Sequence, residues 1–151
     1  MKRTSAKSLV TDAREVVGSC SVMRIRVAER LMTRFLEGRL KKTGLSAAQF
    51  GLMAHIAAAP DDSINALAER LGLDQSTLSR NLRALEADGL VEIVTAEKDL
   101  RRRAVWLTEK GARRLEAALP VWREGQRELA AGISAAQVRK IVDAASRLAA
   151  G

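Results

Sequence analysis

The chain has 151 residues, which suits one compact domain or a small domain carrying a helical dimerisation platform. Its 26 Lys and Arg against 18 Asp and Glu give a net charge of +8, a balance that favours a polyanionic partner. Tyr is absent, Phe and Trp number two each and one Cys is present, so a strand-rich fold and an intrachain disulfide are excluded, and a soluble, cytoplasmic, mostly α protein is expected.

Residues 1 to 8 are basic and polar and read as a frayed arm. From about Leu9 to Leu40 the pattern is helical, with Cys20, Met23, Val27, Leu31 and Phe35 on one stripe. Gly18-Ser19 weakens its middle, which leaves one helix or two open. Gly44 closes the segment as a C-terminal cap. Ser46 and Gln49 then form a capping box, with Leu45 and Phe50 as its hydrophobic staple, for a helix running to about Ala59.

Pro60-Asp61-Asp62 breaks that helix, and Ser63 caps the next, whose stripe is Ile64, Leu67, Ala68 and Leu71. Gly72 turns the chain, and Asp74 caps a helix with Leu78, Leu82 and Leu85 inward that ends at Asp88-Gly89. The β-capable runs L-V-E-I-V-T and R-A-V-W-L-T, joined by a charged link, predict a hairpin with a basic tip, Val105 and Leu107 inward and Trp106 outward. Thr108 caps a long helix to about Ala131, with Pro120 expected to interrupt and kink it and Leu115, Ala118, Trp122, Gly125 and Leu129 on its inner side. The last helix repeats the earlier start, with Ser134 and Gln137 as its capping box and Ile141, Val142, Ala145 and Leu148 following.

The chemistry concentrates on the helix opened by Asp74. Gln75, Ser76, Ser79, Arg80 and Arg83 lie off its leucine stripe, and no acid occurs between Asp74 and Glu86. Short hydroxyls near the N-terminus let a backbone approach base edges, and arginines one turn on reach guanine or phosphate. The hairpin tip carries Lys98, Asp99, Arg101, Arg102 and Arg103, and a cationic loop of this kind can enter a narrow minor groove.

The runs L-A-E-R-L-G-L-D-Q-S-T-L-S-R-N-L-R-A-L-E-A-D-G-L-V and D-L-R-R-R-A-V-W-L-T-E-K-G resemble the MarR family of bacterial winged helix-turn-helix transcriptional regulators. The resemblance implies a mostly α fold with a small β-wing. A winged DNA-binding domain would span 45–107, and residues 1–44 and 108–151 would form a helical dimerisation region. It also implies a homodimer on a pseudo-palindromic duplex site, with the Asp74 to Ala87 helix in the major groove and Arg101, held by Asp99, in the minor groove. Relatives commonly release DNA when a small aromatic or phenolic effector binds or a cysteine is oxidised.

Cys20 is the candidate redox sensor, with Arg24, a cation within one turn, as its sequence support; on its stripe it reads first as a small buried hydrophobe. The lone His55 has no companion ligands, so no metal is expected, and Met53, His55 and Trp122 are the candidates for lining an effector pocket. There is no Gly-rich phosphate loop and no nucleophile beside a base, so neither an enzyme nor a cofactor is expected. The expected function is a homodimeric DNA-binding regulator, a repressor rather than an activator, released by a small ligand or oxidant and without a membrane partner. The alternative is a winged-helix protein-interaction module that reads no specific site, for which the arginine-hydroxyl face and basic wing would have no use.

Overall fold

A computed structural model describes the backbone of residues 3–59, 63–95 and 103–150, and the side chains of residues 8–59, 63–94 and 104–150. The chain divides into two compact units, Met1–Phe35 and Leu36–Gly151. The first holds helix α1 (Arg3–Ser19) and most of α2 (Ser21–Leu40). The segment expected as a frayed arm is instead helical from Arg3, because its Ala, Lys and Arg carry no helix-breaking residue ahead of α1. Helix α1 ends at Ser19 beside Gly18, and Arg24 donates a hydrogen bond from its guanidinium to the Gly18 carbonyl left open there. The segment ahead of Gly44 is thus two helices, and the break falls on Cys20, which is half-exposed.

In the second unit the end of α2 passes through a 3-10 turn at Lys41–Thr43 to Gly44, whose φ of +74° is the left-handed cap conformation. Helix α3 (Ala47–Ala58) starts on a closed capping box, and the Glu37 carboxylate accepts a further N–H, that of Ala47, at 2.9 Å. Leu45 and Phe50, the staple pair, are both buried. Helices α4 (Ile64–Leu71) and α5 (Gln75–Ala87) follow, then strands β1 (Val91–Thr95) and β2 (Arg103–Leu107), α6 (Glu109–Gly132) and α7 (Ala135–Ala149).

The two strands pair antiparallel with Val91 opposite Leu107 and Ile93 opposite Val105. Val105 is buried and Trp106 exposed, as the two-residue period predicts. Helix α6 runs unbroken through Pro120, so the expected interruption is absent. Two residues after Pro120 in the sequence, Trp122 stacks on Phe50, with centroids 5.9 Å apart.

One core holds the unit together. Helix α3 supplies Phe50, Leu52, Met53 and Ile56; α4 supplies Leu67 and Ala68; α5 supplies Leu78, Leu82 and Leu85; and Leu115 and Ala118 close it from α6. Among the described residues no helix is long and apolar enough to cross a membrane, and no cluster of His, Cys, Asp or Glu could hold a metal ion.

Candidate nucleic-acid interface

The α4–turn–α5 segment is fixed at each joint by local chemistry. Ser63 caps α4 by accepting the Ala66 N–H at 3.2 Å. Gly72, with φ +62°, ends α4, and the Leu73 N–H then donates to the Ala68 carbonyl at 3.0 Å. That turn delivers Asp74 to the cap position of α5, where its carboxylate organises the first turn. Oδ1 accepts the Thr77 N–H at 2.8 Å and the Ser76 hydroxyl at 2.5 Å, while Oδ2 accepts the Thr77 hydroxyl at 2.8 Å. The Ser76 hydroxyl, the Thr77 N–H and the Thr77 hydroxyl, in that order, hold the Asp74 carboxyl well below the usual carboxylate range. The cap stays ionised throughout the neutral range, opposing the positive end of the helix dipole.

Leu78, Leu82 and Leu85 point into the core from α5 and leave one face to solvent. On that face Gln75, Ser76, Arg80 and Arg83 are exposed and Ser79 is half-buried, so the structure brings together all the residues expected on the reading helix. No side chain among the described residues engages Arg80 or Arg83, which leaves both guanidinium forks available to an anionic or base-edge partner. Ser76, by contrast, has donated its proton to Asp74 and offers only acceptor lone pairs.

The C-terminal end of α5 is gripped by the start of α6. Lys110 donates from Nζ to the Asp88 carbonyl at 2.6 Å, Thr108 from Oγ1 to the Gly89 carbonyl at 2.7 Å, and the Thr108 N–H to the Leu90 carbonyl at 3.1 Å. Three consecutive carbonyls at the end of the helix are therefore satisfied by one short segment. Gly111 makes this approach feasible, since a Cβ there would lie 1.9 Å from the Leu90 carbonyl oxygen. An isolated antiparallel bridge between Ser63 and Ala104 ties the hairpin to the start of α4.

Of the expected wing contacts, Lys98, Asp99, Arg101 and Arg102 lie outside the described residues, and for Arg103 only the backbone, in β2, is described. Met53 is fully buried in the core, His55 is half-buried on α3, and Trp122 is half-buried against Phe50. A cleft of about 460 Å³ opens elsewhere, between Gly44, Asp88, Leu90, Lys110 and Arg114. Asn65, which the sequence pattern gave no reason to single out, accepts a hydrogen bond from Gln75 Nε2 at 2.7 Å. Its signal was beyond reach of helical spacing, because the two residues sit on different helices and meet only through the Gly72 turn.

The sequence profile of the MarR family matches residues 43–102, which include the whole α3 to β1 segment. The chain is similar to the transcriptional regulator MosR of M. tuberculosis, solved in complex with DNA: identity is 31%, covering 87% of this chain and 96% of that one, with a TM-score of 0.78. A mutant of E. coli MarR complexed with operator DNA is 25% identical over 88% of this chain and 96% of that one, with a TM-score of 0.74. The HTH-type transcriptional regulator YdgJ of Bacillus subtilis is 27% identical over 106 residues, 70% of this chain, and the match spans 65% of that protein's length, a little under two thirds.

Proposed function

The chain belongs to the MarR family of DNA-binding transcriptional regulators, a family of regulators and not of enzymes, and from that premise we propose that α5 reads the major groove of an operator. The observation that carries this reading is the exposed face of Gln75, Ser76, Arg80 and Arg83 on a helix whose opposite face is locked into the core. Both arginines are unengaged among the described residues, and a helix presented this way matches how helix-turn-helix proteins dock. MosR and E. coli MarR, which share the fold over most of this chain, were each solved with DNA.

The protein acts in the cytoplasm as a homodimer on a pseudo-palindromic site and as a repressor. Support for the dimer comes from large apolar side chains that are exposed among the described residues, Ile141, Val142 and Leu148 on α7 and Leu9, Val16, Val17 and Leu31 on α1 and α2. A twofold dimer would cover them and set the spacing of two α5 helices. The wing residues Lys98, Asp99, Arg101, Arg102 and Arg103 supply the minor-groove grip. A small aromatic or phenolic ligand, or oxidation of Cys20, releases the DNA by favouring a dimer whose α5 helices are wrongly spaced, and the loss of affinity equals the ratio of the ligand's affinities for the two states. Cys20 sits at the break between α1 and α2, half-exposed, where an oxidant can reach it.

The test is binding to DNA from upstream of the protein's own coding sequence against random duplex of equal length, over a salt series. Specific binding tighter than non-specific by roughly a thousandfold or more is expected, with affinity falling steeply as salt rises. Equal affinity for both duplexes would leave the interaction module as the function of this fold.

A further inference from the structure

We propose that Asn65 and Gln75 act as one unit that selects an A·T base pair in each half-site, with Gln75 reading the base and Asn65 positioning it. The inference rests on α5 being the reading helix and assigns the chemistry of its first residue.

Gln75 opens α5, and its carboxamide is exposed at the end of the helix that would enter the groove. One Nε2 proton is donated to Asn65 Oδ1 at 2.7 Å. The second Nε2 proton and the Oε1 lone pairs have no partner among the described residues. That remaining pair, one donor beside one acceptor, is the complement of adenine, whose N7 accepts and whose N6 amino group donates in the major groove. A glutamine left alone would sample many rotamers. Here Nε2 is turned toward Asn65 and Oε1 is left outward, and the bond restricts the side chain before DNA arrives, so less ordering entropy is lost on contact.

The neighbouring hydroxyls cannot substitute for it. Ser76 and Thr77 both donate their hydroxyl protons to Asp74, so each can only accept. Within the first turn of α5, Gln75 is therefore the side chain that can both donate and accept. Asn65 stands in the first turn of α4, exposed, and keeps its own amide protons for the DNA backbone that the first helix of such a motif crosses.

The experiment is selection of preferred duplexes by the full chain, followed by affinities for every single-base variant of the selected site. Wild type is expected to discriminate against loss of one A·T pair per half-site by roughly five- to a hundredfold. Gln75→Ala abolishes discrimination at that pair, and Asn65→Ala reduces it there by about two- to tenfold while preferences at other positions persist. Asn65→Asp keeps the acceptor for Gln75 Nε2, so it retains the A·T preference even as its charge lowers affinity for all duplexes alike. Both positions are exposed, and matching helicity and melting temperature confirm that the variants fold. If Asn65→Ala leaves the preference at that pair intact, or weakens all positions equally, the pairing is overturned while α5 as a reading helix stands. If wild type shows no preferred site at all, both fall together.

Discussion

Helices α3 and α7 begin with the same four residues, Ser46-Ala47-Ala48-Gln49 and Ser134-Ala135-Ala136-Gln137, and close the same capping box. In α3 the Gln49 N–H donates to Ser46 Oγ at 3.0 Å and the Ser46 N–H to Gln49 Oε1 at 3.0 Å; the corresponding bonds of α7 are 3.2 and 2.8 Å. Their fates differ completely. Helix α3 buries Phe50, Leu52, Met53 and Ile56, whereas α7 buries nothing, and Leu148 is 85% exposed. The cap decides where a helix begins; what surrounds it is decided by the rest of its circumference. Helix α3 carries no Asp, Glu, Lys or Arg and is enclosed by α4, α6 and β2, while α7 has Arg139, Lys140, Asp143 and Arg147 to hold one face in water.

The sharpest way to break this contrast is to truncate both helices. Met53→Ala removes a side chain with no exposure and is expected to cost about 2–5 kcal/mol in urea unfolding. Ile141→Ala, on a face that is 49% exposed at that residue, should barely change unfolding of an isolated subunit. A cost for Ile141→Ala as large as that for Met53→Ala, independent of protein concentration, would show that α7 is core after all. The companion substitution Ile141→Asp should retain helicity by circular dichroism and shift sedimentation from dimer to monomer. Persistence of the dimer would place the interface on another face.

A smaller effect separates the two caps. Ser46→Ala is expected to lower global stability by about 1 kcal/mol, since α3 unfolds only with the core. Ser134→Ala loses the same local bond, but the change should surface as faster amide exchange confined to the first turn of α7 rather than as a shift of the global midpoint. Equal midpoint shifts would mean that α7 is as firmly coupled to the core as α3.

The smallest effect uses the cap that titrates. Asp74 has a folded-state pKa depressed by the Ser76 hydroxyl and by the Thr77 N–H and hydroxyl, so its contribution is fully present above the unfolded value of about 3.9 and is lost as pH falls below it. Wild type should therefore lose stability relative to Asp74→Asn on acidification below about pH 4, and the difference between them should be flat from pH 5 to 8. A difference that grows in the neutral range would mean that another group is titrating.

The caps, the leucine stripe and the hairpin facing were legible from residue types alone, because each is decided within a few residues. Gly44, Gly72 and Gly89 all take positive φ at the ends expected of them, and Val105 turns inward while Trp106 turns out. What spacing could not show depends on residues far apart in the chain. The Ser63–Ala104 bridge, the Asn65–Gln75 bond and the Lys110 bond to Asp88 all join elements that meet only once the chain is folded. Gly111 illustrates the same limit: inside a helix it reads as a loss of about 1 kcal/mol against Ala, and only the Leu90 carbonyl 1.9 Å from an added Cβ explains its place. The break at Cys20 lay inside a pattern that suited one helix or two equally, and the helical start at Arg3 fell in a basic, polar segment read as a frayed arm.

The most direct measurement is the base-substitution profile of the selected operator for wild type, Arg80→Ala and Arg83→Ala. If α5 is the reading helix, each variant keeps its fold and loses discrimination at its own base positions by about 1–3 kcal/mol. Profiles identical to wild type for both variants would contradict it, because neither exposed guanidinium would then be touching a base.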